Sequence, residues 1–480
     1  MRALPEPLRN LDILVGGMGA DISSVRLVSA AANHPSKRIS GTLSGTALAD
    51  IYARRLQLGD PGGEIRKAFD AFGRVVPSLA GDIDRLYAAY HIPGGKAPTA
   101  LFRGLSMGGL TPPRDVQILT VAATFAHVWR AKQAAPGRPV GINFLRKIER
   151  PLLHGLYGAA LAEADWVVVG AGDPSDLPGW LDRLARHETA ELLPRVATVP
   201  AGTHKIVFDP KELVGGKLPP LRRPSFFAII SSHEQAVALA SSAKTRPDGF
   251  VVEGPLAGGH SAPPQKKVRD KRGYYVYGPE DEADIPTIAA LGLPFWTAGG
   301  CGFPEKLATP DAPRRRRQVG TLFARAAESG MVAEVRRRVL KLIWQQKLEV
   351  VTDVRASPST FPFKVALVPD TIGDPSVYAE RPRLCNVGHL RGWRPRGEAT
   401  AGLCPASHPE LFKKMGGAAW RLEGAMCLCN GLLATCGVGQ PCEKALVTLG
   451  DITHVRELQQ RLHRMEYSAL EAAAFLLGEL

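Results

Sequence analysis

Several residues in this chain are of types, and at spacings, that could do chemistry. His260 ends the stretch DGFVVEGPLAGGH, where an apolar run gives way to Gly258 and Gly259. An imidazole delivered after two glycines is a candidate acid, base or hydrogen-bond donor near neutral pH. The plainer reading is a loop histidine bonded to nearby backbone. A second group comprises TAGGCG (297–302) and QVGTLF (318–323), which offer Gly299, Gly300, Gln318, Gly320 and Thr321. Glycines there let backbone N–H groups approach a phosphate, and a following helix start would add a favourable dipole; the plainer reading is two tight turns. In VGGMGAD (15–21), Gly17, Met18 and Gly19 could lie beneath a flat ring. With Asn143 and Gly170 on other strand ends, they suggest a ligand spanning one face of the fold.

The cysteines form a separate question. Only Cys301 precedes residue 380, whereas Cys385, Cys404, Cys427 and Cys429 follow as C-x18-C-x22-C-x-C, with Cys436 and Cys442 beyond. Four thiolates suit Zn²⁺ or an iron–sulfur cluster. The spacing matches no standard finger, so unligated buried thiols stand beside the metal reading. The odd total of seven and the lack of a signal-peptide pattern argue against a disulfide framework.

Such groups need rigid elements behind them. Apolar runs ending in Gly, Ser or Asn recur at 12–19, 38–42, 140–144, 166–172, 226–232, 249–254, 294–300 and 318–323. Short, continuously apolar strands are buried on both faces, as in a parallel sheet covered by helices. Helical patterns between most of them predict an α/β fold, a (β/α)8 TIM barrel, with an open doubly wound sheet as the alternative. A barrel gathers every glycine-rich end on one face. The expected organisation is a barrel over 1–365 with a helical excursion at about 50–135 and an inserted hairpin within 195–223. A Cys-rich C-terminal extension, 366–480, ends in a helix.

Composition narrows the function classes. Hydrophobic content of 45% and charged content of 22% are those of a globular chain, not a disordered one. No apolar run reaches the ~20 residues a membrane helix needs, so no membrane partner is expected and the cytoplasm is the expected location. The net charge of +14 would suit anionic substrates or nucleic acid. No interleaving of aromatic and basic residues that could stack bases is present, which weighs against nucleic acid.

Taken together, GGMGADISS, SGTALADIYARRLQLGDPGG, GINFLRKI, DGFVVEGPLAGGH, PFWTAGGCG, QVGT and SPSTFPFK resemble the nitronate monooxygenase (2-nitropropane dioxygenase-like) family over roughly residues 10–365. That family includes related enoyl reductases of polyketide and fatty-acid pathways. The resemblance implies FMN, held by Gly17, Met18, Gly19, Asn143, Gly258, Gly259, Gly299, Gly300, Gly320 and Thr321, with His260 as catalytic base or substrate-orienting group. It departs from the family before QVGT, where ATPDAPRRRR replaces a small-residue strand. Four arginines resist burial in a barrel core, so the eighth strand is expected to be truncated and the Arg314–Arg317 run to lie outside it.

The implied activity is FMN-dependent oxidation of a small anionic, nitronate-like substrate by oxygen. The alternative is enoyl reduction, with NAD(P)H or another electron donor as partner. A tRNA-acting flavoenzyme and a barrel without catalysis are weaker readings; substrate identity and oligomeric state are not legible.

Overall fold

The computed structural model of the chain describes residues 4–306, 316–397 and 399–480. Eight parallel strands close into a barrel in sequential order. They are β1 (Ile13–Val15), β2 (Ile39–Ser44), β3 (Gly141–Leu145), β4 (Trp166–Gly170), β5 (Ser225–Ile230), β6 (Gly249–Glu253), β7 (Phe295–Ala298) and β8 (Arg317–Val319). Each falls within or beside one of the apolar runs, and closure excludes the open sheet. β8 pairs with β1 on one side, Val319 opposite Val15, and with β7 on the other.

Inside the barrel, Leu14, Trp166, Val168, Phe227, Val251 and Trp296 form a closed apolar core. Leu4, Leu8 and Leu11, around the short helix Glu6–Arg9, plug its floor. Such a core is a packed interior rather than a pore. Gly141 marks how tight it is: a Cβ there would lie 2.1 Å from the indole nitrogen of Trp166. Gly141→Ala is therefore expected to cost about 1–3 kcal/mol through overpacking. Denaturant unfolding measures it, and an unchanged midpoint would show that the indole can move aside.

The arginine run behaves differently from expectation. β8 is short, as anticipated, but Arg317 begins it and Arg316 is buried, 2% exposed. The Arg316 guanidinium stands 4.9 Å from the Trp296 ring centroid and donates to the Arg9 carbonyl at 2.7 Å. A guanidinium tolerates the barrel floor because its planar face stacks on an aromatic ring while its edge bonds to backbone. Arg314 and Arg315 lie outside the described residues.

The long excursion between β2 and β3 is helical, with helices Leu48–Leu56, Glu64–Val75, Ala80–Tyr90 and Arg114–Ala134. The insertion before β5 contains an antiparallel pair, Ala190–Leu192 with Ile206–Phe208, starting somewhat earlier than the sequence suggested. The helix His233–Ala240 is N-capped by Ser232, whose hydroxyl accepts from the Gln235 amide.

Beyond β8 come two antiparallel hairpins, Val350–Asp353 with Phe363–Ala366 and Gly392–Arg396 with Ala399–Leu403. Helices Leu428–Thr435, Thr453–Leu462 and Ala469–Leu477 follow. The last is closed by a capping box between Ser468 and Glu471. Just before it, the Tyr467 hydroxyl donates to the Leu322 carbonyl at 2.8 Å, tying the tail to the turn after β8. Among the described residues no helix is long and apolar enough to cross a membrane.

Candidate active site

The C-terminal ends of the strands surround one cavity of about 220 Å³. Gly17, Met18, Gly19, Asn143, Gly170, Gly258, Gly259, His260, Gly299, Gly300, Gln318, Gly320 and Thr321 all line it. The structure thus brings together every residue that the glycine-rich ends nominated. Backbone geometry explains the glycines. At Gly17 a Cβ would fall 2.2 Å from the Cβ of Asn143, and at Gly299 (φ +90°) it would fall 2.7 Å from the Ala257 amide nitrogen. These positions are filled by neighbouring backbone and side chain, leaving no room for any residue but glycine.

The β1 loop is held from beneath. Ser23 donates to the Gly16 carbonyl at 2.5 Å and accepts from the Met18 amide at 2.9 Å. The fully buried Asp21 forms an ion pair with Arg55 and faces His127, whose imidazole burial pushes down to about 4. Asn143 donates to the Gly17 carbonyl at 2.6 Å, yet among the described residues its Oδ1 has no hydrogen-bond partner, and neither has Gln318 Oε1. Buried polar atoms of this kind are normally satisfied, so two acceptors stand open toward a ligand.

His260 is anchored from the hairpin after β8. Its Nε2 lies 2.8 Å from Ser357 Oγ and 3.4 Å from Ser359 Oγ, and its ring packs edge-on against Phe363. Backbone bonds from Lys364 to Gly259 and from Ser261 to Pro362 clamp the loop on both sides of it. Desolvation, with the positive charge of Lys147 adding to it, pushes the imidazole down to about 3. His260 is therefore neutral at physiological pH. It can donate or accept a hydrogen bond, but it is a poor general base there.

Two groups beside it were missed by sequence reasoning. Glu253, the last residue of β6, lines this cavity and also a side cavity shared with Ser261 and Tyr277. Burial pushes its carboxyl up to about 7, against the pull of Lys147. Desolvation pushes Lys147 down to about 7, with Glu253 opposing; its Nζ stands 3.2 Å from the Phe361 ring centroid and has no hydrogen-bond partner. Glu253 ends its strand directly before the loop that carries His260, which was the available signal. Nothing in the sequence announces Lys147.

Two expectations need correction. The helix after Gly320 is only Thr321–Ala324, a single turn, so the anticipated helix dipole contributes little at these glycine turns. The cysteines do not assemble as a metal site: among the described residues no group of three or more His, Cys, Asp or Glu could hold an ion. Cys385, Cys404 and Cys427 instead meet in a small apolar cluster with Ala406 and Ala425, while Cys429 stands in the first turn of the helix Leu428–Thr435 with its thiol pushed up to about 12 by burial. A hydrogen bond to Cys385 and burial raise the Cys404 thiol, and burial raises that of Cys427. Cys385 is the exception, drawn down to about 7 by a hydrogen bond from Cys404 with help from Arg391. Under iodoacetamide at pH 7.5, Cys385 is expected to be alkylated before Cys404, Cys427 and Cys429. Peptide mass spectrometry reads the order, and equal labelling of the four would contradict this electrostatic ranking.

No protein-family model and no curated protein matches the chain. Solved structures do, at low identity. The nitroalkane oxidase from Streptomyces ansochromogenes is 14% identical over 99% of this chain and 98% of its own, with a TM-score of 0.47. A point mutant of FabK from Thermotoga maritima is 14% identical over 78% of this chain and 82% of its own, with a TM-score of 0.40. The enoyl reductase domain of MlnA, from the macrolactin biosynthesis cluster of Bacillus amyloliquefaciens, is 10% identical over 100% and 97%, with a TM-score of 0.48. The structures to which this chain is similar thus include a nitroalkane oxidase, FabK and an enoyl reductase domain.

Proposed function

We propose that this protein is an FMN-dependent oxidoreductase acting on a small, anionic or strongly polarised substrate held beside His260. The observation that carries this reading is a single cavity in which glycine backbone, two open acceptor atoms and a neutral histidine face one another. The residues present fit the cofactor. Glycine at 17 and 299 keeps two walls flat where any Cβ would collide, and Asn143 Oδ1 and Gln318 Oε1 can accept from a ring N–H. The turns at Gly299–Gly300 and Gly320–Thr321 lie on adjacent strand ends, where barrels commonly bind phosphate. When bound, FMN would supply the electron-accepting and electron-donating chemistry that no side chain offers.

The chain's own residues set which substrates suit it. A neutral nitroalkane would need a base of pKa near the working pH to take its α-proton; His260 at about 3 is mismatched, and Glu253 at about 7 is matched. A preformed nitronate anion needs no base, only a donor and nearby positive charge, which His260 and Lys147 offer. The enoyl reductase reading survives on the same ground, since a polarised carbonyl also asks for a donor rather than a base.

An absorption spectrum of the isolated protein tests the cofactor: oxidised flavin has bands near about 370 and 450 nm. Anaerobic mixing with a nitronate, and separately with NADPH, then divides the two chemistries by which one bleaches the 450 nm band. A colourless protein that takes up no added FMN would refute the proposal.

A further inference from the structure

Among the described residues, the glycine turns nominated by the sequence for the cofactor's phosphate carry no positively charged side chain of their own; the buried Arg325 lines the same cavity but is turned to Met331, donating to its Sδ at 3.1 Å. Gly299, Gly300, Gly320 and Thr321 offer backbone and one hydroxyl, and the one-turn helix adds little dipole. A phosphate dianion held in a partly buried site ordinarily meets a cationic donor. The exposed Lys306 is near, but it donates to the Gly300 carbonyl.

The C-terminal extension reaches this place. The strap from Ala445 to His454 crosses the barrel mouth along the Leu256–Gly259 loop, bonded at successive points. The Gly259 amide donates to Thr448 Oγ1 at 2.9 Å, the Asp451 amide to the Leu256 carbonyl at 2.9 Å, and the Gly450 amide to Thr321 Oγ1 at 2.9 Å. The approach is close enough that a Cβ on Gly450 would meet the Leu256 carbonyl oxygen at 2.2 Å. Where the strap ends, His454 lies against Gly302, whose Cβ would stand 3.0 Å from the ring, and it lines the same cavity as Gly300 and Thr321. The ring is 3% exposed. Its Nδ1 faces the Asp451 carboxylate at 3.6 Å, and among the described residues neither ring nitrogen has a hydrogen-bond partner. Burial alone would raise the Asp451 carboxyl; the nearby His454 and the two bonds from Thr453 outweigh it and hold the group well below the usual range, so it stays charged.

We infer that His454, facing Asp451, is the side-chain partner of the cofactor's phosphate, and that the strap 445–454 is a built part of the binding site. With one ring nitrogen turned to Asp451, the other is left to meet a phosphate oxygen beside the glycine turns. Thr321 is thereby shared: its hydroxyl receives the Gly450 amide and retains its own proton to donate into the cradle. Cofactor affinity is coupled to docking of the C-terminal extension.

This inference rests on the FMN reading, and the test separates the two. FMN and riboflavin are titrated by fluorescence quenching into the full-length apoprotein, wild type and His454→Gln. Riboflavin carries the ring without the phosphate, so its binding also checks that the ring site and fold are intact. The expected result is a wild type that prefers FMN over riboflavin and a variant that loses about 10- to 100-fold in FMN affinity with riboflavin affinity unchanged. Asp451→Asn should give a smaller loss of the same kind. In hydrogen–deuterium exchange, FMN but not riboflavin should protect the 445–454 amides. If His454→Gln keeps the full preference for FMN, the inference fails while the FMN reading stands. If the wild type binds neither flavin, both fail together.

Discussion

Gly300→Leu is expected to yield a folded, colourless protein with at least about a 100-fold loss in FMN affinity. Gly300 has φ +63°, a conformation that L side chains rarely adopt, and a Cβ there would stand 2.8 Å from Leu256 Cδ1. The tip of Leu256 can swing away, so the fold tolerates the first added carbon at a strain of about 1–3 kcal/mol. The rest of the new side chain is expected to extend into the cavity that Gly300 lines. It would stand where a phosphate is proposed to sit, and excluding that group forfeits several charge-assisted hydrogen bonds at once. Gly299→Ala probes the neighbouring position more harshly. Its Cβ meets backbone at Ala257 and Gly254, which cannot yield, so loss of stability should accompany loss of flavin. Flavin-to-protein absorbance ratios and melting temperatures distinguish the two. Full occupancy in Gly300→Leu would remove the turn from the site.

The second large effect concerns pH. His260→Ala is expected to slow flavin reduction by the matched substrate about 10²-fold while leaving a titration near pH 7 in the profile. Glu253→Gln should abolish that titration. The imidazole is pushed down to about 3, so it stays neutral from pH 5 to 9 and contributes no limb in that range. Glu253 and Lys147 both move to about 7 and each opposes the other's shift, so removing Glu253 also draws the Lys147 titration below 7. If Glu253 takes a proton from the substrate, the rate rises as pH climbs through 7 and the carboxyl ionises.

The same shift has a stability consequence of fixed sign. Folded Glu253 retains a proton between about pH 4.5 and 7 that the unfolded chain has released, so its contribution to stability falls as pH rises across that window. Glu253→Gln should thus gain stability relative to wild type at pH 8 and not at pH 4. Stopped-flow reduction from pH 5 to 9 with both variants is the kinetic measurement. A limb lost in His260→Ala and kept in Glu253→Gln would reverse these assignments.

The sequence by itself determined the barrel and the face on which the site stands. Strands buried on both sides need unbroken apolar runs, and their ends need glycines wherever backbones nearly touch; both requirements are local and written in consecutive residues. DGFVVEGPLAGGH therefore announces a strand, a close turn and a histidine without any partner being known. Its partners are another matter. Ser357, which holds His260, is 97 residues away, and Thr321 meets Gly450 across 129. The tertiary structure alone decided that His260 is neutral, that Glu253 and Lys147 titrate together, and that Arg316 can lie under a barrel on Trp296. It also decided that the cysteines gather as desolvated thiols and that His454 reaches the glycine turns. Each of these depends on desolvation or on a contact between distant segments. Burial and distance are properties of the packed chain, and neither has a signature in neighbouring residues.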